Sequence, residues 1–515
     1  MGKKALASFA APLLAATVSV AQIKPYSRNP SYWQYQGKPV LLLGASDRDN
    51  VFQWAGEGAR LTDHLDRLVR CGGDYLRCTM SSRSYEKDGY YWDRLLCPFA
   101  KTAGKYDLTK WDEAYWGKLR TLLCETKKRR VVVQLEFWDR WNEAGHSGRP
   151  RCGWYASPWN PNNNVTYDWA DSPLLAPGST GFYNPIHRAA VTGDPVLLPL
   201  QQRFVRKVID EVIDGGFDHV LFQVDNESGI GQETLQPDPY WARLAREHAR
   251  SRGAGDVYVC TQRRFHGPSW YQTTTFQDWK NPEIHVPILD DAFNYCDISQ
   301  NNGCSGQTHY DNVLWYRSKV LEHGARPINN TKSYHFNWPI GTPYQDRQPG
   351  TDAEAGARLW RAVFAGAAAF RFHRRTEYVQ NGMHAGFGLT PVAEKHLASM
   401  RALVTAIHLF TMEPRNDLLS EREPDEAYCL AEPGSQFAVF FTGIDDRSVT
   451  LDSSSLAEPF ELRWLSVSET RWTKAPARRP TKTSRLHAPE EGHWVAVLRP
   501  RKTANTSEKQ PSQSP

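Results

Sequence analysis

The sequence has no long apolar segment after its first twenty residues. A helix that spans a membrane needs about 20 predominantly apolar residues, and every apolar run between residues 21 and 515 is much shorter. Hydrophobic residues make up 40% of the chain and charged residues 23%. This balance excludes a disordered or collagen-like chain. We therefore expect a globular protein without a membrane span.

Short motifs of several common ligand sites are also missing. The chain has no Cys-x-x-Cys pair and no His-Glu-x-x-His motif, so we expect no bound transition metal. A Gly-x-Gly-x-x-Gly motif does not open the first helix, and we expect no cofactor. The nine cysteines permit a disulfide or two, but their spacing does not assign the partners.

The positive charge is concentrated near the end of the chain. Nine Lys or Arg and two Glu between Arg471 and Lys502 give a local charge of +7, against a net charge of +5 for the whole chain. Proteins that bind nucleic acids combine a basic face with a recognisable reading module. The sequence has no such module, so we expect no nucleic-acid partner and interpret the basic segment as a solvated surface.

Residues 1–21 have the pattern of a secretory signal peptide. Lys3 and Lys4 precede an apolar run that ends in Ser19-Val20-Ala21, a small-x-small cleavage pattern. The run is short and rich in alanine, which disfavours a membrane anchor. We expect a secreted or periplasmic protein whose mature chain begins near Gln22.

Residues 22–412 alternate between strand-like and helix-like segments. Eight segments are short and apolar: Val40–Ala45, Tyr75–Met80, Val131–Phe137, Val220–Val224, Val257–Thr261, Cys296–Gln300, Pro327–Thr331 and Ala368–His373. The amphipathic segments between them are Ala59–Arg70, Trp111–Thr126, Leu200–Ile213, Pro239–Arg252, Asn312–His323 and Asp352–Phe364. This order predicts an α/β fold, a (β/α)₈ TIM barrel. A doubly wound open sheet is the alternative, which the missing glycine motif disfavours.

The pattern changes after Glu413. Short alternating segments separated by Gly, Pro, Asp and Ser follow: Tyr428–Leu430, Phe437–Phe441, Ser448–Leu451, Phe460–Trp464 and Trp494–Leu498. They predict a small antiparallel β-sandwich over residues 413–502. Residues 503–515 are polar without apolar periodicity, and we expect a disordered tail.

The most informative local pattern is Phe222-Gln223-Val224-Asp225-Asn226-Glu227, where an apolar strand ends in an Asn-Glu pair. In a barrel of this kind, functional residues follow the carboxyl ends of the strands. A carboxyl group there, partly desolvated by aromatic rings, can act as a general acid, which makes Glu227 a candidate catalytic residue. Asn226 is suited to hydrogen-bond a substrate. The alternative is that Asp225 and Glu227 are acids of a surface loop.

These residues resemble the clan A glycoside hydrolases, in which an Arg ends strand two, Asn-Glu ends strand four and a nucleophilic Glu ends strand seven. Arg77 in Asp74-Tyr75-Leu76-Arg77 matches the first position and Asn226-Glu227 the second. The C-terminal segment is similar to the small β-domain, called collagen-binding, that follows some barrels of this group. The resemblance covers about residues 30–500. It implies hydrolysis of an oligo- or polysaccharide with Glu227 as general acid/base.

Strand seven departs from the family pattern, because Lys332 stands where the nucleophilic Glu is expected. The retaining mechanism needs two carboxyl groups about 5–5.5 Å apart. Asp47 and Asp49 after strand one are candidates for the second carboxylate, at a wider separation that suits an inverting mechanism. Glu136 on strand three is a further candidate.

Two alternatives remain open at this position. Asp47 and Asp49 can instead bind the substrate or Arg48 without taking part in chemistry. The chain can also be a carbohydrate-binding pseudoenzyme that has lost hydrolysis together with the strand-seven Glu.

Polar and aromatic residues near the strand ends suit a carbohydrate ligand. Trp rings stack on the apolar faces of sugars, and amides and carboxylates bind hydroxyl groups. The candidate substrate-binding residues are Arg77, Asn226, Trp54, Trp138, Asp139, Asn330, Lys332 and His373. Alternatively, the two Trp rings pack a long loop against the barrel, and Lys332 and His373 pair with nearby acids rather than with an acidic sugar.

N-terminal sequencing of the exported protein tests the expected cleavage. Because Ala21 completes the small-x-small pattern, we expect the mature chain to begin near Gln22. Secreted protein that retains Met1 would contradict the signal-peptide interpretation.

Overall fold

The computed structural model describes residues 22–500 except for 49, 81–82, 87–88, 93–96, 140–153, 155, 176–184, 231–236, 267–279, 281–285, 287, 300–301, 344–345, 375–378, 381–382, 385, 445, 457–458 and 475–480. Side chains are also left out at 83–86, 89–92, 185–187, 227–230, 263–266, 379–380 and 383–384. The expected signal peptide (1–21) and tail (503–515) therefore lie outside the described residues.

Eight parallel strands form the central sheet, which confirms the TIM-like α/β fold. They are β1 (Leu42–Ala45), β2 (Tyr75–Thr79), β3 (Val132–Asp139), β4 (Val220–Ile230), β5 (Val259–His266), β6 (Cys296–Asp297), β7 (Ile328–Ser333) and β8 (Ala369–Phe372). Their hydrogen-bonded order is β5-β4-β3-β2-β1-β8-β7-β6. Each of the eight strands overlaps one of the eight apolar segments predicted from the sequence.

The barrel nearly closes between β5 and β6 through the side chain of Asn294. The amide of Val259 donates to Asn294 Oδ1 at 2.7 Å, and Asn294 Nδ2 donates to the carbonyl of Val257 at 2.9 Å. The backbone amide of Asn294 adds a bond to the carbonyl of Val259 at 3.2 Å. One side chain thus supplies hydrogen bonds that a paired strand would otherwise make.

Helices follow most of the strands and cover the barrel. They are α1 (Arg60–Arg70), α2 (Glu113–Lys128), α3 (Leu197–Asp214), α4 (Asp238–Ser251), α5 (Gly306–His323), α6 (Asp352–Phe364) and α7 (Pro391–Ala406). In α1, Leu61, Leu65 and Leu68 lie on one buried face, as their spacing predicts. The sequence-based candidates did not include α7, which Thr390 caps by accepting a bond from Ala393 N at 3.2 Å.

Further short elements lie in the connecting segments. Antiparallel strand pairs join Arg83–Glu86 to Gly89–Trp92, Phe99–Thr102 to Lys105–Trp111, and Val379–Gln380 to Met383–His384. A helix spans Pro185–Thr192, and 3₁₀ turns occur at Val51–Trp54, Pro161–Asn163, Pro173–Leu175, Leu409–Thr411 and Asn416–Leu418. The antiparallel strand pairs lie in the segments after β2 and β8.

A three-stranded antiparallel sheet (Lys24–Tyr26, Asn29–Tyr35 and Lys38–Val40) covers the amino end of the barrel. Its Trp33 is fully buried and packs edge-to-face against Tyr295, with ring centroids 5.2 Å apart. The same cluster contains the first inward residues of the barrel strands, among them Leu42 and Tyr75. Trp33 therefore plugs the end opposite the expected site.

The chain after α7 forms two antiparallel sheets with a shared core, as expected for a C-terminal β-domain. The six-stranded sheet has the order Glu413–Pro414, Ala427–Glu432, Gln436–Phe441, Trp494–Pro500, Phe460–Ser466, Arg471–Lys474. The three-stranded sheet has the order Leu419–Ser420, Ser448–Asp452, Thr483–His487. Alternate residues such as Phe437, Val439 and Phe441 face the shared core.

The other face of the six-stranded sheet packs against the barrel helices. Phe440 stacks on Trp360 of α6 with ring centroids 5.2 Å apart. Buried Arg361 of α6 binds both carboxylate oxygens of Asp425, at 2.7 and 2.9 Å, and also both oxygens of Glu354. Because α6 lies between the barrel and the β-domain, it is buried on all sides.

Within the described residues, no helix is both long and apolar enough to cross a membrane. Eight cysteines fall in this part of the chain, and all eight are free thiols.

Acid should destabilise the protein through two histidines at the domain interface, of which His396 is buried and His493 partly buried. Burial lowers the pKa of His396 to about 3 and that of His493 to about 4. At a pH between these values and the ordinary histidine pKa near 6.5, the two imidazoles are protonated in the unfolded chain but not in the folded protein. Stability is therefore lost as pH falls below 6.5, by about 1.4 kcal/mol per pH unit for each such histidine.

Thermal unfolding at several pH values between 7.5 and 4.5 measures this slope. The variant His396→Gln keeps an acceptor for Trp360 Nε1 (3.0 Å from His396 Nδ1) but removes one titrating group. We expect a shallower loss of stability in the variant than in the wild type. Equal slopes would show that His396 does not contribute.

Candidate active site

Beyond the apolar cluster at its amino end, the interior of the barrel is lined with buried polar side chains. They recur at alternate positions of several strands, where side chains share a face. The set comprises Tyr75 and Arg77, Gln134 and Glu136, Gln223, Gln262, Asp297 and Ser299, Asn329 and Thr331, and Arg371 and His373, each at most 3% exposed. Such groups are tolerated in a core only when they are hydrogen-bonded.

Irregular pairing in β4 and β7 brings additional residues to this interior. Between Gln223 and Asn226, β4 has one residue more than the opposing part of β5. Between Asn330 and Ser333, β7 likewise has one residue more than β8. Bulges of this kind change the direction of a side chain. Asn226 and Lys332, which regular alternation would place on the opposite face, therefore contact each other inside the barrel.

Glu136 on β3 is a buried carboxyl group of this interior. Its Oε1 accepts hydrogen bonds from Arg77 Nε at 2.5 Å and from Gln223 Nε2 at 2.6 Å. Burial raises the pKa of Glu136 to about 7, although the positive charges of Arg77 and Lys332 act to lower it. The carboxyl group is therefore poised to exchange a proton near neutral pH.

Asn226, at the residue before Glu227, is held by three strands. Its Oδ1 accepts from Arg77 Nη2 at 2.7 Å and from Lys332 Nζ at 2.5 Å. Its Nδ2 donates to Asp139 Oδ1 at 3.0 Å. Asp139 and Asn226 are also paired in register between β3 and β4. The structure thus brings Arg77, Asn226, Asp139 and Lys332 together.

Arg371 and His373 on the β8 side add positive and neutral groups. Arg371 Nη1 donates to the carbonyl of Thr331 at 3.0 Å. Burial, together with Arg77, lowers the pKa of Arg371 to about 10, so it stays charged at neutral pH. Burial holds the pKa of His373 well below its ordinary value, and the neighbouring cations, including Arg374 and Lys332, lower it further. His373 is therefore a neutral imidazole.

Gly44 on β1 makes room for this arrangement. A Cβ atom at Gly44 would lie 2.3 Å from the carbonyl oxygen of Tyr75 and 3.3 Å from Cγ of Arg371. Any side chain at Gly44 would therefore push β1 away from β2 and displace Arg371.

Asp297 on β6 is the hydrogen-bond acceptor at the centre of the barrel. Ser299 donates to Oδ1 through its hydroxyl at 2.6 Å and its amide at 3.1 Å. Gln134 Nε2 and Gln262 Nε2 donate to Oδ2 at 3.1 and 3.3 Å, and the hydroxyl of Thr331 donates to the same oxygen. Neutral donors thus replace the hydration of a fully buried carboxylate.

Asp47, a sequence-based candidate for the second carboxylate, makes contacts on the outside of the barrel. Its Oδ2 accepts from Arg67 of α1 at 3.2 Å, and its Oδ1 accepts from the amide of Leu389 at 3.0 Å. These bonds tie the segment after β1 to α1 and to the segment before α7. Asp49 and the side chain of Glu227 lie outside the described residues, and the backbone of Glu227 belongs to β4.

The two candidate tryptophans pack in the protein core. Trp138 is 2% exposed and lies against Phe204 of α3 and Trp241 of α4, with centroid distances of 4.9 and 5.6 Å. Trp54 is 7% exposed and packs edge-to-face on His64. This placement matches the alternative interpretation, in which these rings pack connecting segments against the barrel.

Asn330 is fully buried on β7 between Asn329 and Thr331, whose side chains face the interior. Alternation directs Asn330 to the other face of the strand. Neither polar atom of its side chain has a hydrogen-bond partner among the described residues. Asn330 is therefore not brought together with Asn226 and Glu136.

Sequence reasoning missed several interior residues that a simple signal marks. Polar residues interrupt apolar strands at a spacing of two, as Gln134 and Glu136 do in β3. In a barrel this spacing directs both side chains inward. The missed residues are Tyr75, Gln134, Gln223, Gln262, Asp297, Ser299, Thr331 and Arg371.

In the part of the chain that the structure describes, no group of three or more His, Cys, Asp or Glu side chains is arranged to hold a metal ion.

Comparison with known proteins identifies the class of fold. A glycoside hydrolase family 5 structure from Bacteroides vulgatus superimposes with a TM-score of 0.60 at 12% sequence identity, covering 95% of this chain and 96% of the other. A second glycoside hydrolase structure gives a TM-score of 0.56 at 11% identity, covering 94% and 98%. No protein-family model and no curated protein sequence matches the chain. The fold is therefore that of a glycoside hydrolase-like barrel with a C-terminal β-domain.

Replacement of Asp297 tests the polar centre of the barrel. In Asp297→Asn, an N–H₂ group would face donors that need an acceptor, and we expect the free energy of unfolding to fall by roughly 2–4 kcal/mol. Asp290→Asn is the matched control. Asp290 is partly exposed and accepts from Ala292 N at 2.8 Å, so the change should cost less than about 1 kcal/mol. Equal losses in chemical denaturation would contradict a central role for Asp297.

Proposed function

We propose that this protein is an exported glycoside hydrolase that cleaves a poly- or oligosaccharide, with Glu227 as general acid/base and Glu136 as the second carboxyl group. The observation that carries this proposal is the frame around Asn226. Arg77, Asp139 and Lys332 converge on the residue that precedes Glu227. A frame of this kind supports a group that must stand in one position.

Glu136 is the better partner for Glu227 on the evidence of the described contacts. It lies on β3, the strand beside β4, and its pKa of about 7 suits proton transfer at neutral pH. Asp47, by contrast, already binds Arg67 and the amide of Leu389. In this account Asp47 is a residue of the scaffold.

Lys332 favours one of the two hydrolytic mechanisms. Its ammonium group occupies the β7 position and donates to Asn226, and no residue of β7 is a carboxylate. This supports direct attack by water, rather than a covalent glycosyl intermediate on β7, as the mechanism that we infer. In that step one carboxylate takes the proton of the water while the other carboxylic acid gives its proton to the leaving oxygen, which inverts the anomeric centre.

A second candidate function is carbohydrate binding without hydrolysis. The observation that favours it is the same Lys332, which replaces the nucleophile and neutralises charge beside Asn226. Export and the domain boundaries (22–412 and 413–502) are shared by both proposals.

Two matched substitutions test the carboxyl pair in a screen against plant, algal and host glycans. Glu227→Gln and Glu136→Gln keep the shape of the side chains but remove the transferable proton, and each should lower kcat by about 10²–10⁴-fold. Asp47→Asn serves as the control and should change stability more than kcat. Full activity in Glu136→Gln together with a large loss in Asp47→Asn would reverse the assignment.

Product stereochemistry and binding separate the remaining possibilities. NMR of the first-formed product should show inversion, and retention would contradict water attack. Absence of turnover by the wild type on every glycan, with sugar-dependent quenching of tryptophan fluorescence, would support the pseudoenzyme instead.

A further inference from the structure

A chain of hydrogen bonds runs along the barrel interior from the amino-terminal plug to Glu136. Trp33 Nε1 donates to Asn329 Oδ1 at 2.9 Å, and Asn329 Nδ2 donates to Gln134 Oε1 at 3.3 Å. Gln134 Nε2 donates to Gln223 Oε1 at 2.5 Å, and Gln223 Nε2 donates to Glu136 Oε1 at 2.6 Å. All five residues are at most 1% exposed.

The direction of this chain is fixed at three points: by Trp33 at its beginning, by Asp297, whose Oδ2 accepts from Gln134 Nε2 at 3.1 Å, and by the carbonyl of Asp225, which accepts from Gln223 Nε2 at 2.8 Å. An amide group can turn over and exchange its oxygen and nitrogen, but the indole N–H of Trp33 can only donate. Asn329 must therefore present its oxygen to Trp33 and its nitrogen to Gln134. The same requirement passes to Gln134 and then to Gln223, whose nitrogen must face Glu136.

The two oxygens of Glu136 consequently differ. Oε1 receives donors from Arg77 and Gln223, neither of which can accept a proton in this orientation. No hydrogen bond to Oε2 is made by the described part of the chain. A proton on Oε1 would face two donors, whereas a proton on Oε2 would not.

We propose that Gln223 is a positioning residue: the amide chain from Trp33 and the carbonyl of Asp225 hold it in one orientation, so that Oε1 of Glu136 is a fixed acceptor and Oε2 is the oxygen that gains and loses the proton. The relevance of this arrangement to catalysis rests on the proposed function. The arrangement itself does not, because it concerns the titration of a carboxyl group that can be observed without a substrate.

The variant Gln223→Met removes the donor while keeping the length of the side chain. A hydrogen bond to the charged form lowers a carboxyl pKa, so its loss should raise the pKa of Glu136 by roughly one unit. Gln223→Met alters none of the charged or titratable groups that surround Glu136. Among the described side chains these are Arg77 on β2, Asp139 on β3, Lys332 on β7 and Arg371 on β8, with the thiols of Cys78 and Cys260.

The pKa is measured on the mature full-length protein labelled with ¹³C at the Glu side-chain carboxyl, with Glu136→Gln assigning the signal. Gln262→Met is the matched control. Gln262 is equally buried and donates to Asp297, Ser299 and Thr331, but not to Glu136. We expect the pKa of Glu136 to rise in Gln223→Met and to stay unchanged in Gln262→Met.

Gln223→Leu, which also lacks the donor, is the second variant if Gln223→Met does not fold. Trp33→Phe frees only Asn329 to turn over, because Asp297 and the Asp225 carbonyl still orient Gln134 and Gln223, so its Glu136 signal should shift less than that of Gln223→Met. Equal shifts in Gln223→Met and Gln262→Met, or no shift in the Gln223 variants, would overturn the proposal.

Activity measurements separate this proposal from the proposed function. If the wild type turns over a glycan, the limb of the kcat/KM profile assigned to Glu136 should move to higher pH in Gln223→Met. If no glycan is turned over, the proposed function fails, and the carboxyl titration still decides whether Gln223 positions Glu136.

Discussion

The ion pair between Arg77 and Glu136 is the interaction on which the rest of the barrel interior depends. Both side chains are at most 2% exposed, and a charge in such a place is stable only with a partner and further hydrogen bonds. Arg77 extends the pair to Asn226, and Gln223 extends it to the amide chain. Removing either charge would leave the other buried without its ion-pair partner. The hydrogen bonds that hold the candidate site in place are therefore also bonds that stabilise the barrel.

The two ends of the barrel contribute differently to this interior. At the amino end, Trp33 closes the barrel and contributes a donor whose direction cannot change. At the carboxyl end, extra residues in β4 and β7 bring Asn226 and Lys332 into contact. The amino end of the barrel thus anchors the interior hydrogen bonds, and the irregular strands at the carboxyl end supply the side chains of the candidate site. Lys332 in place of a carboxylate is the main difference from the retaining pattern of the resembled family.

The sequence was sufficient to predict the architecture because its signals are local. Apolar runs marked the eight strands, and the bounds expected for α6, Asp352–Phe364, are those observed. The interior was harder to predict. The bulge that re-aims Lys332 depends on how β7 pairs with β8, and the docking of Trp33 depends on residues nearly 300 positions away. The role of Trp138 was also not predictable, because the sequence alone does not distinguish a ring that packs on α3 from a ring that faces a sugar.

The central claim is that a glycan is cleaved at the carboxyl ends of β3 and β4, between Glu136 and Glu227. A crystal structure of the Glu227→Gln variant with a bound oligosaccharide tests it most directly. The account predicts the scissile oxygen within hydrogen-bond distance, about 2.6–3.2 Å, of the side chain at position 227, and the carboxyl group of Glu136 on the water side of the sugar. A sugar bound with its scissile bond away from both residues, or only on the C-terminal β-domain, would contradict it.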